Sequence, residues 1–396
     1  MSKKLYIPGT KRRALAATFC LVLSAVCVPV SCQPANQADS LRSESPAHPR
    51  PPTCEPAIAR AADGLVVWSP KGNQYVINRQ DASGIFQLYA GNAGGQAVCI
   101  TCTQQPNGPA PNLHKMQPHW HPSGEWIVLA GEMSDFQPPL LSTPSLVLGW
   151  IESGLWVNIY MTRPDGSEWH RISNFVAAQP PNGFTGVAFT PDGTKAAWAQ
   201  IINGNIFQYP FGQWQLILAD YQETNGVPAF VNLRNITPAG ANWIEPGNFS
   251  PDNKSLLVTS DIGLTDPQGM DQFILDTSTG NVVNLTNSPT VWDEHGVFSP
   301  DGKKIFFMSS YPFRTQPYSD WAIFLKTEFM MMDNDGKNLQ QITHFNFPGY
   351  PESNPPQQGS VAANGEWNPN GATLSALNLF FPSYQTWSIS IPVCSR

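Results

Sequence analysis

The stretch Thr290–Ser310 reads TVWDEHGVFSPDGKKIFFMSS, and Ala241–Asp261 reads ANWIEPGNFSPDNKSLLVTSD. The two share an aromatic residue, a Ser-Pro-Asp-Gly/Asn turn and an apolar run in the same order. The phrase recurs along the chain as Trp68-Ser-Pro-Lys-Gly72, Trp120-His-Pro-Ser-Gly124, Phe189-Thr-Pro-Asp-Gly193, Phe249-Ser-Pro-Asp-Asn253, Phe298-Ser-Pro-Asp-Gly302 and Trp367-Asn-Pro-Asn-Gly371. Each copy is followed by a short apolar or alternating segment: QYVINR, EWIVLAG, KAAWAQ, SLLVTS, KIFFMSS or TLSALN. Proline cannot extend a β-ladder, and Asp-Gly or Asn-Gly supports positive φ, so the phrase closes a tight hairpin. The aromatic then ends an incoming strand and the apolar run begins an outgoing one.

Further turns, Arg163-Pro-Asp-Gly166, Thr277-Ser-Thr-Gly280 and Asn334-Asp-Gly336, join a third strand to a fourth. The fourth strands end in Ile100-Thr101, Ile236-Thr237, Leu285-Thr286 and Ile342-Thr343. Four antiparallel strands per repeat and six repeats predict an all-β, six-bladed propeller. The repeat spacing of roughly 50 to 70 residues exceeds the ~40–45 of a minimal blade, so several blades carry insertions. Composition agrees: charged residues are only 13%, aromatics 11%, with 38 Pro and 31 Gly, a turn-rich rather than a helical mixture.

The last repeat supplies three obvious strands, around Glu366, Thr373–Asn378 and Gln385–Val393. An open edge invites aggregation. A segment within Cys54–Arg60 is therefore expected to add the fourth strand and close the ring.

The N-terminus is a separate object. Lys3, Lys4, Lys11, Arg12 and Arg13 precede the apolar run Ala14–Val30, which is short for a membrane span. Residues 1–31 read as a secretion signal, with a retained anchor helix as the alternative, and 32–53 as a disordered polar linker before a propeller at 54–396. Ser31-Cys32 resembles the junction of a bacterial lipoprotein signal, which implies lipid on Cys32 and attachment to a membrane through that lipid alone. The expected location is exported, in the periplasm or at the cell surface. Loss of residues 1–31 moves the formal charge from −7 to about −12, which disfavours nucleic acid and anionic membrane surfaces as partners.

Cys54, Cys99, Cys102 and Cys394 remain in a compartment that permits disulfides. Of the three pairings open to four cysteines, Cys99–Cys102 and Cys54–Cys394 are expected, the second because ring closure makes its members neighbours. A zinc site on Cys99 and Cys102 lacks a second ligand pair at metal-like spacing.

The six-fold motif set resembles the TolB-type propeller repeat, WD40-like with S-P-D-G as its signature, over essentially all of Cys54–Cys394. That resemblance implies a non-catalytic cell-envelope propeller that binds a protein or envelope component. TolB proteins carry an α/β domain before the propeller where this sequence has only a linker, so a Tol-system role is not carried over.

Propeller hairpins alternate between two faces. The S-P-D-G turns lie on one. The long insertions Glu132–Leu155, Ile201–Gln213, Asp261–Gln272 and Ser310–Lys326 lie on the other, the candidate binding face. Aligned on the motif aromatic, two repeats share Trp-x-Glu: Trp243-Ile-Glu245 and Trp292-Asp-Glu294. Asp293 and His295 stand beside them. Other repeats offer His114, Gln117 and His119, and Asn364 with Glu366. Gln117, His119, Trp243, Glu245, Trp292, Glu294, His295 and Asn364 are the candidate ligand-binding set at the channel mouth.

Carboxylates and imidazoles converging from different blades could take a divalent cation or a polar ligand, though no cofactor is required. Structural capping is the competing reading for Glu245 and Glu294. His121 takes the place of the turn Ser/Thr and is read as structural. Trp150, Trp156, Trp214 and Trp321 either form exposed platforms for sugars or a partner, or bury the long loops.

The sequence contains no G-x-S-x-G, P-loop, G-x-G-x-x-G or H-E-x-x-H motif. Two classes stay open: an envelope-binding propeller for a protein or glycan partner, and a metal-dependent carbohydrate-binding or polysaccharide-lyase-like propeller with its site at the channel mouth. A monomer is expected, since the ring closes its own edges.

Overall fold

The computed structural model describes residues 56–390, apart from 62–64, 139–143, 178–180, 205–207, 210, 265–268, 316–324, 354–358 and 381–382. Cys32, Cys54, Cys394 and Trp321 lie outside the described residues, and with them the lipid site, the Cys54–Cys394 pair and the signal and linker segments.

The strands form six four-stranded antiparallel sheets, each running from an inner to an outer strand. The first blade is β2 (Leu65–Trp68), β3 (Gln74–Gln80), β4 (Phe86–Asn92) and β5 (Val98–Cys99). The second is β6 (Lys115–Trp120), β7 (Ile127–Glu132), β8 (Val157–Thr162) and β9 (Trp169–Arg171). The third is β10 (Phe184–Phe189), β11 (Lys195–Asn203), β12 (Gln213–Thr224) and β13 (Val227–Asn235), and the fourth is β14 (Ile244–Phe249), β15 (Ser255–Ser260), β16 (Asp271–Asp276) and β17 (Val282–Asn284). The fifth is β18 (Asp293–Phe298), β19 (Lys304–Ser309), β20 (Glu328–Asp333) and β21 (Gln340–Gln341). The sixth takes β22 (Ser360–Trp367), β23 (Thr373–Phe380) and β24 (Ser383–Ser390) from the C-terminal end and β1 (Ala57–Arg60) from the N-terminal end. β1 pairs with β24 in the register Ala57↔Ser390 to Arg60↔Trp387, so the outer strand comes from the expected segment. Consecutive inner strands touch all the way round, β2–β6–β10–β14–β18–β22 and back to β2, which closes the ring.

The turn phrase does what its chemistry requires. In every copy the last residue donates its N–H to the carbonyl three residues back, as in Gly193 to Thr190, Asn253 to Ser250 and Gly302 to Ser299. That residue has φ near +70°, for example 70° at Gly302 and 64° at Asn253, a region open to Gly and Asn. The hydroxyls of Thr190, Ser250 and Ser299 donate to Asp192, Asp252 and Asp301 at 2.7, 2.6 and 2.7 Å. His121, in place of that hydroxyl residue, bonds Ser123 and the Gly193 carbonyl and packs edge-on against Phe189, a structural role.

The Ile/Leu-Thr pieces bind the third strand of their blade. Thr101, Thr237, Thr286 and Thr343 accept the backbone N–H of Leu88, Leu216, Gln272 and Phe329 at 2.7–3.1 Å. In the fifth blade a buried carboxylate completes the pattern. Glu328 accepts hydrogen bonds from the Thr343 hydroxyl and from the backbone of Phe345 and Asn346, each at 2.8 Å. These bonds fix how the chain leaves each outer strand for the next inner strand.

Between blades the core is apolar and close-packed. Phe306 stacks on Phe329 at 4.7 Å, and Trp126, Phe184, Phe306 and Phe329 expose at most 1% of their surface. The β7–β8 connection carries a short helix, α1 (Pro144–Glu152). Its Ile151 is buried, and Trp156, after the helix, stacks on Phe136 at 4.3 Å. Trp156 and Trp214 expose 5% and 4%, and Trp150 is half-buried against Trp156. The described loop tryptophans therefore pack the connections down rather than presenting open stacking platforms, because each indole finds an apolar neighbour. Among the described residues no helix is long and apolar enough to cross a membrane. Cys99, the last residue of the outer strand of the first blade, forms a disulfide with Cys102.

Candidate functional site

The site grows from an irregularity shared by the inner strands. In β6, β10, β14, β18 and β22 the pairing with the next strand shifts register in mid-strand, as between Glu294 and Val297 in β18. Such bulges re-aim side chains and gather beside functional sites. At the equivalent bulge positions Gln117 has φ 52°, Gly186 60° and His295 54°. A left-handed backbone at Gln and His costs energy that surrounding structure must over-determine.

A close approach of backbones fixes the distance between two blades. A Cβ on Gly247 would stand 2.0 Å from the Gly296 carbonyl oxygen. A Cβ on Gly296 would stand 2.0 Å from the Gln272 side-chain oxygen. Gln272 is itself held by hydrogen bonds to Thr259 at 2.8 Å and to the Asp293 carbonyl at 3.0 Å. Two glycines thus let β14 and β18 come together and bring Glu245 beside His295.

The resulting constellation is Glu245, Glu294 and His295, whose potential ligand atoms all lie within 4.8 Å of one another. His295 Nδ1 is 3.6 Å from Glu245 Oε2, and its Nε2 is 3.6 Å from Glu294 Oε2. Each carboxylate is oriented from behind. The Thr185 hydroxyl donates to Glu245 at 2.8 Å, and the Trp292 indole donates to Glu294 at 2.8 Å. Trp292 is only 2% exposed, so it positions Glu294 from inside the wall. Burial pushes the Glu294 carboxyl up. The Glu245 charge adds to that, while His295 and the Trp292 N–H oppose it.

Gln117 stands at the same mouth, accepting from Gly186 N at 3.3 Å and donating to the Glu152 carbonyl at the end of α1 at 3.0 Å. Trp243 is half-buried and packs between the fourth and fifth blades. Asn364 occupies the corresponding position of β22, and no hydrogen bond joins it to the cluster. His119 lies further along β6, with Nδ1 4.0 Å from Glu366 Oε1 of β22. Those two strands flank β2 on opposite sides, so the contact reaches across the channel. Both side chains keep some access to the channel, 34% and 26% exposed, while the surrounding walls desolvate them and push His119 down to about 4 and Glu366 up to about 7.

Asp293, beside Glu294 in sequence, faces away from the mouth. It alternates away from Glu294 along the strand and is buried between blades at 2% exposure. Thr185 is the site residue that sequence reading missed. A signal for it exists, because Thr185, Glu245 and Glu294 share one offset from the motif aromatics Phe189, Phe249 and Phe298.

The inner strands begin on the face that carries the β7–β8, β11–β12, β15–β16 and β19–β20 connections, and the S-P-D-G turns close the opposite face. The constellation therefore sits at the channel mouth on the long-connection side. Fold and site together define a six-bladed β-propeller with an acidic, imidazole-bearing channel mouth.

Several solved structures are similar to this chain. A putative TolB from Agrobacterium tumefaciens matches at TM-score 0.50 with 16% identity, over 81% of this chain and 90% of that one. TolB from Acinetobacter baumannii matches at TM-score 0.44 with 15% identity, over 83% of this chain and 63% of that one. An oligogalacturonate lyase in complex with manganese matches at TM-score 0.47 with 10% identity, over 86% and 92%. The first, at TM-score 0.50 and 16% identity, bears on the fold alone. No family model matches the sequence. No curated relative matches it either.

Proposed function

We propose that the chain is an exported, non-catalytic cell-envelope propeller, held to the membrane by lipid at Cys32, that binds a protein or glycan component of the envelope at its channel mouth. The observation that carries this reading is the Glu245–His295–Glu294 constellation, assembled from two blades on bulged backbone at the face with the long connections. Two carboxylates, fixed by Thr185 and Trp292, flank an imidazole and form a preorganised acceptor surface, which lowers the ordering cost of binding. The acidic mature chain suits a partner group that donates hydrogen bonds or carries positive charge.

A second reading has its own support. The same three side chains offer ligand atoms close enough to share one divalent cation, so a metal-dependent carbohydrate-binding or lyase-like propeller fits the site as well.

Site-specific photo-crosslinking tests the first reading. A photoreactive residue at Ile202 or Tyr350, exposed on the long-connection side, is compared with one at Leu339 beside an opposite-face turn. Discrete adducts from Ile202 and Tyr350, lost in Glu245→Gln/Glu294→Gln, are expected, with none from Leu339. Adducts from Leu339 alone contradict the face assignment. Turnover of an acidic glycan panel that needs added Mn²⁺ or Ca²⁺ replaces the first reading with the second.

A further inference from the structure

Beneath the channel mouth, between the fourth and fifth blades, two more carboxylates are buried together. Asp271 is fully enclosed. It accepts hydrogen bonds from Thr286 Oγ1 at 2.9 Å, Ser288 N at 2.9 Å, Ser288 Oγ at 3.0 Å and Asn284 Nδ2 at 2.7 Å. Asp293, 2% exposed, shares the same serine, with Ser288 Oγ 2.6 Å from its Oδ2. Its other oxygen, Oδ1, is buried and has no hydrogen-bond partner among the described residues.

The Ser288 hydroxyl owns one proton and faces two carboxylates, so it satisfies one of them. No cationic side chain pairs with Asp271 or Asp293 among the described residues. A buried charge in that condition is costly and must be neutralised by a proton or a bound ion. Asp293 also lines a cavity of about 50 Å³ together with the hydroxyl-bearing residues Thr286, Ser288, Ser309 and Tyr311. The Ser309 oxygen accepts the Tyr311 N–H at 2.9 Å, and its hydroxyl lies beside the Asp293 carboxyl. The space exceeds the ~10–15 Å³ that admits one water, so it has room for a small ion with part of its hydration shell.

We infer that this interblade cavity is a binding site for a hard, oxygen-ligated cation of the calcium class, with Asp293 Oδ1 as its anionic ligand and Ser288, Ser309 and Thr286 as neutral oxygen ligands. The polar side chains of the lining offer oxygen alone, which suits Ca²⁺ over thiolate- or imidazole-preferring metals, while Leu285, Phe307, Met332 and Leu339 close the cavity with apolar surface. The ion would join the start of β18, through Asp293, to the end of β19, through Ser309, and to the Thr286–Ser288 segment that leaves the fourth blade. It would thus staple two blades directly under Glu294 and His295. The site is separate from the channel constellation and does not depend on what binds there.

Thermal melts with Ca²⁺ or chelator, and luminescence of Tb³⁺ as a calcium-class probe sensitised by Tyr311, test the inference. Binding to the folded state alone at a hundred times Kd raises Tm by several degrees. That rise and the Tb³⁺ signal are expected in the wild type and in Glu245→Gln/Glu294→Gln, and are expected to vanish in Asp293→Asn. A Tm indifferent to Ca²⁺, with Asp293→Asn as stable as the wild type, would show that Asp293 holds a proton and would overturn the site. An ion response that survives in Asp293→Asn but disappears in Glu245→Gln/Glu294→Gln would move the ion to the channel and overturn it equally. Should Asp293→Asn fail to fold, elemental analysis of Glu245→Gln/Glu294→Gln decides: one bound calcium per chain supports the site, and none refutes it.

Discussion

Single residues at the inner ends of the blades carry opposed demands, and Lys115 shows them most sharply. It is fully buried and donates to the Gln87 side chain at 3.1 Å and the Pro111 carbonyl at 2.9 Å, with no carboxylate in contact among the described residues. Burial pushes its ammonium down to about 8, with Asp81 and Glu132 opposing. The unfolded chain therefore holds more protons than the folded one between pH 8 and about 10.5, so stability rises with pH across that window. Lys115→Met is expected to flatten that rise, read from urea midpoints between pH 7.5 and 10; an unchanged slope would contradict the assignment. Gly247 makes a different demand. Gly247→Ala drives a methyl into the Gly296 carbonyl, so a loss of about 1–3 kcal/mol is expected from overpacking, together with separation of Glu245 from His295. Chemical denaturation measures the first, and a stability equal to wild type would mean that the strands are not so close.

At the scale of the element, the turns were legible and the bulges were not. S-P-D-G specifies its geometry locally, through proline's fixed φ, a short hydroxyl–carboxylate bond and a residue tolerant of positive φ, so six copies in sequence became six hairpins. The left-handed residues Gln117 and His295 carry no such local signal, because a shift in pairing with the neighbouring strand imposes their conformation. The side Asp293 faces was legible, because it neighbours Glu294 ahead of the bulge and simple alternation sends it to the other wall. The Glu328 cage stayed hidden because its donors come from a loop that only tertiary structure brings back. Ring closure was legible from counting strands, and it makes a prediction. Ile58 in β1 packs on the core of the fifth and sixth blades. Ile58→Asp should lower Tm by several degrees and expose the β24 edge, giving concentration-dependent aggregation in light scattering. A variant that melts and scatters like the wild type would leave β1 dispensable.

For the whole molecule, closure matters because it sets the channel. Six inner strands meet round one axis, and their first residues project Glu245, Glu294 and His295 into the mouth on the side that carries the long connections. Six-fold repetition is a device of stability, and function enters where the repeats differ. At the offset that holds Glu245 and Glu294, the other described repeats offer Met116, Thr185 and Ala363. That asymmetry makes one sector of the rim acidic, and the tryptophans of the long connections hold that rim in place. The most direct measurement is equilibrium binding of the cross-linked partner to the wild type and to Glu245→Gln/Glu294→Gln, with thermal melts of both. Removing charged hydrogen-bonding groups from a partly buried contact costs about 2–5 kcal/mol, so an affinity at least tenfold weaker at a preserved Tm is the predicted result. Equal affinity for the two proteins would remove the channel mouth from the binding site.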